Sequence, residues 1–269
     1  MTIFRNSSMA LLLCLLLSAS AQAVISRGPV VILDNATPPP ADIAGTVSLV
    51  LDDGGAETFI GDSGQFIWLN RFTPAAAEFP FQVEEIQVLL GTTLVTVGDP
   101  IQLLVYADTD GDGDPGTGAV LQGEFTDTVQ FNDGVSFNVY TVPTPIRVDG
   151  PGDVLIAAVN RVGAEGTDDF PAAIDTTSSA GRSWVGSYLA GDVPAMPALP
   201  ADEQWGTIDS FGFPGNWAIR ASGTIVGPDL PPPAAVPTLG LSGLALLMLL
   251  LGLSTLILIK RNRTDSSTP

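Results

Sequence analysis

The chain has no histidine at any of its 269 positions and one cysteine, Cys14. Without histidine there is no Ser-His-Asp triad, no His-ligated zinc and no imidazole to move protons near neutral pH. A single cysteine excludes a disulfide within the chain and a cysteine-rich metal site. Basic residues are scarce: ten Lys and Arg stand against 29 Asp and Glu, a net charge of −19. So little positive charge leaves nothing to neutralise phosphates, which excludes nucleic acid as a partner. The only lysine is Lys260, ten residues from the C-terminus.

Charge is also missing from two apolar runs, one at each end. Near the start, Arg5 precedes Ala10–Leu17 (ALLLCLLL), and Ala21-Gln22-Ala23 follows as a small-x-small cleavage site. This order is that of a secretory signal peptide over residues 1–23, with Val24 as the first mature residue. The run is too short to span a bilayer. Leu13 precedes Cys14 where a lipoprotein signal needs a small residue, so the mature chain is expected to contain no cysteine. Near the other end, Leu239–Ile259 is 21 residues without a charge, followed by Lys260, Arg261 and Arg263. At 1.5 Å per residue it reaches about 31 Å, the thickness of the hydrocarbon core. Basic residues beside a span stay cytoplasmic, so the reading is a single transmembrane helix over 239–259 with a cytoplasmic tail over 260–269.

A proline-rich spacer, Pro228-Asp229-Leu230-Pro231-Pro232-Pro233, leads to Val236-Pro237-Thr238-Leu239, with Gly243 four residues on. Residues 228–238 and the span after them resemble the IPTL-CTERM sorting signal of Gram-negative bacteria, a neighbour of the PEP-CTERM class. The resemblance covers about the last 35 residues. Val236 stands where that signal begins with Ile, Gly240 where Ser is usual and Ser242 where Trp is usual. What the resemblance implies is recognition by an exosortase-type membrane enzyme that processes the tail. The alternative is a permanent membrane anchor.

Between the ends, residues 24–227 are long enough for one large domain or two small ones, and they are read as one. Of the charged residues, 28 acidic and six basic ones fall between 24 and 235, so this part of the chain carries −22. Its pattern is β throughout. Gln65–Phe72, Val83–Leu90, Ile101–Ala107, Val135–Val142, Val154–Val159 and Arg182–Tyr188 read as strands rich in Val, Ile, Phe and Tyr. Gly, Asp, Asn and Pro clusters separate them, and no long 3.6-residue period appears. The expected fold class is all-β, a β-sandwich or jelly roll. Asp52-Asp53-Gly54-Gly55-Ala56-Glu57, Trp68-Leu69-Asn70-Arg71-Phe72 and Phe211-Gly212-Phe213-Pro214-Gly215-Asn216-Trp217 resemble jelly-roll accessory domains of secreted bacterial proteins. No single activity follows from that likeness.

Chemistry concentrates at Asp108-Thr109-Asp110-Gly111-Asp112-Gly113-Asp114. Calcium takes six to eight oxygens, and alternate carboxylates on a glycine turn supply several. Asp108, Asp110, Asp112 and Gly113 match the first half of an EF-hand loop, but its twelfth position is Ala119 and no helices flank it. The reading is a calcium site in a β-protein, with Asp108, Asp110, Asp112 and Asp114 as ligands and Glu124 or main-chain carbonyls completing it. The other reading is a solvated acidic turn. Gly61-Asp62-Ser63-Gly64 looks like a serine-protease nucleophile segment, yet no base is present to activate Ser63, and it reads as a turn. Glu84-Glu85 on a strand point to opposite faces, and Asp168-Asp169 read as loop, so neither is an evident acid–nucleophile pair for glycoside hydrolysis. Trp68, Trp184, Trp205 and Trp217 are core candidates, with Trp205, in a turn-rich stretch, the best placed to meet a sugar ring. The expectation is therefore an exported, non-enzymatic envelope or surface protein. A carbohydrate-binding module facing extracellular polysaccharide is the alternative, and a carboxylate-dependent glycoside hydrolase the third reading.

Overall fold

A computed structural model describes residues 25–27, 45–91, 94–163, 167–189 and 192–227. The signal segment, the spacer with Val236, Pro237, Thr238, Leu239 and Gly243, and the span with Lys260, Arg261 and Arg263 lie outside the described residues. Among those described, no helix is long and apolar enough to cross a membrane.

The described chain is all-β and its sheets are antiparallel, consistent with a β-sandwich. The strands in chain order are β1 (Ser26–Arg27), β2 (Thr46–Leu49), β3 (Thr58–Ser63), β4 (Phe66–Phe72), β5 (Phe81–Leu89), β6 (Pro100–Asp108), β7 (Ala119–Thr128) and β8 (Phe137–Val148). They continue as β9 (Asp153–Asn160), β10 (Asp168–Asp175), β11 (Ser183–Ser187), β12 (Gln204–Thr207), β13 (Asn216–Trp217) and β14 (Ile219–Ile225). One sheet has the order β12-β11-β4-β9-β6-β7, a second β2-β14-β5-β8, and a small third β1-β3-β10-β13.

Composition explains the layering. Strand β9 (DVLIAAVN) is buried at every position, the near-continuous apolar run that suits a strand covered on both faces. Along β6, Ile101, Leu103, Val105 and Ala107 face the main core, where they meet Val83, Ile86 and Val88 of β5 and Tyr140 and Val142 of β8. Leu104 and Tyr106, one residue out of phase, face the other way. There they join Ile67, Leu69, Leu155 and Ala157 beneath the segment carrying Val193 and Ala201. Hydrogen bonds hold that segment down: the Tyr106 hydroxyl donates to the Pro197 carbonyl at 2.9 Å, and the Tyr188 hydroxyl to the Ala198 carbonyl at 3.0 Å. The six-stranded sheet is thus covered on both faces.

All six expected strands are present with ends moved by a few residues. Two expected loops are strand instead. Gly61, Asp62 and Ser63 belong to β3, and Asp168 and Asp169 belong to β10, where Asp62 and Asp169 are cross-strand partners. Gly61 permits this pairing: a Cβ there would lie 1.5 Å from the Asp169 carbonyl oxygen. The Asp52-Asp53-Gly54-Gly55 turn is structural. Asp52 and Arg220 form an ion pair, Nη2 to Oδ1 at 2.6 Å, with side chains 0% and 2% exposed. The Arg220 guanidinium also lies 4.4 Å from the Phe137 ring centroid.

Candidate functional site

Strands β6 and β7 form a hairpin whose connection is the acidic loop. Asp108 ends β6, paired in register with Ala119 of β7 on one side and Asp153 of β9 on the other. The loop is a relay of Asp-capped turns. The Asp112 N–H donates to Asp110 Oδ1 at 3.1 Å, Asp114 N–H to Asp112 Oδ1 at 2.7 Å and Gly116 N–H to Asp114 Oδ1 at 2.8 Å. Such turns are what short Asp side chains make with the backbone two residues on. Gly111 and Gly113 supply the left-handed conformations between them, with φ of 76° and 81°.

This winding turns the second oxygens of Asp110 and Asp112 inward. Both accept from the Thr117 hydroxyl, at 3.1 and 2.6 Å, and the Asp114 carbonyl oxygen lies 3.4 Å from the same hydroxyl. Three oxygens therefore share one hydroxyl hydrogen. Asp108 completes the group from below: ligating oxygens of Asp108, Asp110 and Asp112 all lie within 4.8 Å of one another. It is 1% exposed, and neither carboxylate oxygen has a hydrogen-bond partner. Burial pushes its carboxyl up to about 6, with the charges of Asp110, Asp153 and Asp112 adding to the rise. The Asp110 N–H tempers that rise without reaching hydrogen-bond geometry. The exposed Asp112 is held below the ordinary carboxylate value, first by the Thr117 hydroxyl.

Asp114 does not join the three. Its carboxylate caps Gly116 on the far side of the loop, and only its main-chain carbonyl turns toward Thr117. Glu124 does not join them either. Antiparallel pairing sets it opposite Leu104, four residues back along β6, about 13 Å from Asp108 at ordinary strand rise. There it accepts from the Gln102 side chain. Asp153, beside Asp108, is already occupied: Arg71 meets its Oδ2 at 2.5 Å, and the Thr73 hydroxyl bonds its other oxygen.

Trp68 and Trp217 are buried in the main core. Trp184 and Trp205 are half-buried against the outer cluster, ring centroids 5.4 Å apart. The Trp205 indole backs onto the acidic loop, since a Cβ on Gly116 would lie 3.1 Å from its Nε1. Trp205 is thus a half-buried neighbour of the loop.

A second feature was not apparent from the sequence. At the other end of the outer face, an open cleft of about 440 Å³ is lined by Gln65, Gln102, Glu124, Thr126 and Arg161. Arg161 organises it, donating to Gln65 Oε1 at 3.0 Å and to the Pro194 carbonyl at 2.9 Å, and bonding also to Gln102 and the Val193 carbonyl. These residues come from four separate parts of the chain, so no local motif announces them.

Compared with known protein families and with curated proteins, the chain matches none.

Proposed function

We propose that this chain is an exported protein of the bacterial cell envelope, with a non-enzymatic structural or interaction role. Its jelly-roll-like body is carried outside the cytoplasm and tethered by a C-terminal sorting segment. One observation carries the reading: a single antiparallel β-body with a dense apolar core stands between an export-type start and an apolar, basic-ended tail. A protein crossing into an oxidising compartment without cysteines needs such a core in place of disulfides. The strongly acidic body favours solubility and repels anionic partners. An exosortase-type enzyme is the partner that the resemblance of the tail to IPTL-CTERM signals implies.

The test is the intact mass of the protein recovered from the envelope and from the medium. The expected species begins at Val24 and ends near Val236, with or without an added group. A mass that still includes Leu239–Pro269 in every fraction refutes processing and leaves a permanent single-span anchor. A mass that retains Met1–Ala23 refutes export through a cleaved signal.

A carbohydrate-binding role is the second reading, and the observation that favours it is the open polar cleft around Arg161. Amide, carboxylate and hydroxyl side chains there suit the hydroxyls of a polysaccharide.

A further inference from the structure

We infer that Asp108, Asp110 and Asp112 hold a calcium ion, with the Asp114 main-chain carbonyl as a fourth protein ligand in place of its carboxylate. The inference goes beyond the envelope role and holds whether or not the tail is processed.

Two independent observations carry it. The first is convergence: three carboxylates present oxygens within 4.8 Å of one another, and the Asp114 carbonyl oxygen, which accepts the Thr117 N–H at 3.0 Å, also lies 3.4 Å from the hydroxyl that Asp110 and Asp112 meet. The second is Asp108 itself. A carboxylate that is 1% exposed, with neither oxygen hydrogen-bonded, departs from the rule that buried polar groups find partners. Arg71, beside the loop at Gly113, is engaged with Asp153 instead. A cation above Asp108 supplies a partner for this carboxylate. It also replaces the Thr117 hydroxyl, whose single hydrogen three oxygens now share.

The donor set selects the metal. All donors are hard oxygens, which excludes preference for soft ions. Three carboxylates and a carbonyl on an irregular loop, with water at the open side, suit the flexible six- to eight-fold shell of calcium better than the strict octahedron of magnesium. Gly118, whose left-handed φ of 72° itself favours glycine, borders the site. A Cβ at that position would lie 2.5 Å from Asp110 Oδ2 and 2.7 Å from Asp108 Oδ1, inside the site.

The test uses the full-length protein in detergent, stripped with EDTA and titrated with calcium chloride by calorimetry. A parallel titration with terbium uses tryptophan excitation, because Trp205 packs against the loop. One saturable equivalent is expected, with a dissociation constant in the range of extracellular modules, about 0.1–1 mM. Magnesium should compete poorly. Asp110→Asn with Asp112→Asn, both exposed positions, should weaken binding at least about tenfold. Gly118→Ala should weaken it without removing any carboxylate, because the new Cβ would push Asp110 Oδ2 and Asp108 Oδ1 out of position. Asp127→Asn, a half-buried acid on β7 away from the loop, should leave it unchanged. No saturable uptake by the parent protein up to about 10 mM overturns the inference. Uptake that persists in the Asp110→Asn, Asp112→Asn protein also overturns it, since calcium would then be a diffuse counterion of an acidic surface.

Discussion

Replacing Asp108 by Asn should stabilise the metal-free protein, although it removes a residue of the candidate site. The reasoning starts from the carboxyl's position. Burial and three neighbouring carboxylates raise it from the ordinary 3.8 to about 6. The folded state therefore binds this proton more tightly than the unfolded chain does. The stability it contributes is complete below about pH 4, falls as pH rises toward about 6 and is absent at neutral pH. A charge so placed costs up to about 3 kcal/mol, and the water around the exposed loop reduces that to about 1–2 kcal/mol. For a body of this size each kcal/mol moves the melting temperature by about 2–4 °C. Asp108→Asn should then melt about 2–8 °C above the parent in EDTA at pH 7.5, and the two should converge at pH 4. Differential scanning calorimetry at the two pH values reads this directly. Adding millimolar calcium at pH 7.5 should raise the parent alone and narrow or reverse the gap. The reasoning is refuted if the variant melts below the parent in EDTA at pH 7.5, or if the gap is the same at both pH values.

Elsewhere in the body, Asp52→Ala leaves a guanidinium that is 2% exposed without its carboxylate. Urea unfolding followed by tryptophan fluorescence should show a loss of about 3–5 kcal/mol, most of it recovered when Asp52→Leu is combined with Arg220→Met. If polysaccharide binds in the Arg161 cleft, Glu124→Ala with Thr126→Ala should abolish binding on a glycan array while Trp205→Phe leaves it intact. The reverse pattern would move the binding site to the tryptophan pair.

How much was legible in the sequence follows from the range of the interactions involved. Most of the six strands read from the sequence carry their own signal, because Val, Ile, Phe and Leu recur on a buried face, as in β4, β6 and β9. Strands β3 and β10 do not. Gly61 and Pro171 break their patterns, and Asp62, Asp168 and Asp169 give them the composition of loops. Their reason for being strands is each other: a glycine that admits the Asp169 carbonyl is visible only when the two segments, over a hundred residues apart, are side by side. The same holds for the Arg161 cleft, assembled from β4–β9 register, the β6–β7 pair and the segment after β11. The acidic loop was legible because an alternating Asp-Gly turn is a local object. What the sequence could not show was which of its acids point inward. Equal spacing made Asp114 look like a fourth member, whereas the turn relay spends its carboxylate on Gly116.

The inward carboxylate at Asp108 bears on why the loop has this form. An acidic turn needed only for solubility works with every acid at the surface, as Asp114 is, its carboxylate capping Gly116. Asp108 instead sits at the end of a strand buried along almost its whole length, between a neighbour already paired with Arg71 and two acids that repel it. An unpaired buried charge lowers stability, and Asn or Ser would fit the same turn without that cost. The inferred cation would supply the partner that Asp108 lacks. Calcium binding and rigidity of the β6–β7 hairpin are then one equilibrium, because the floor of the site is part of the sheet itself. If the inferred site binds calcium, protein stability should rise with calcium concentration and saturate above the dissociation constant of the loop.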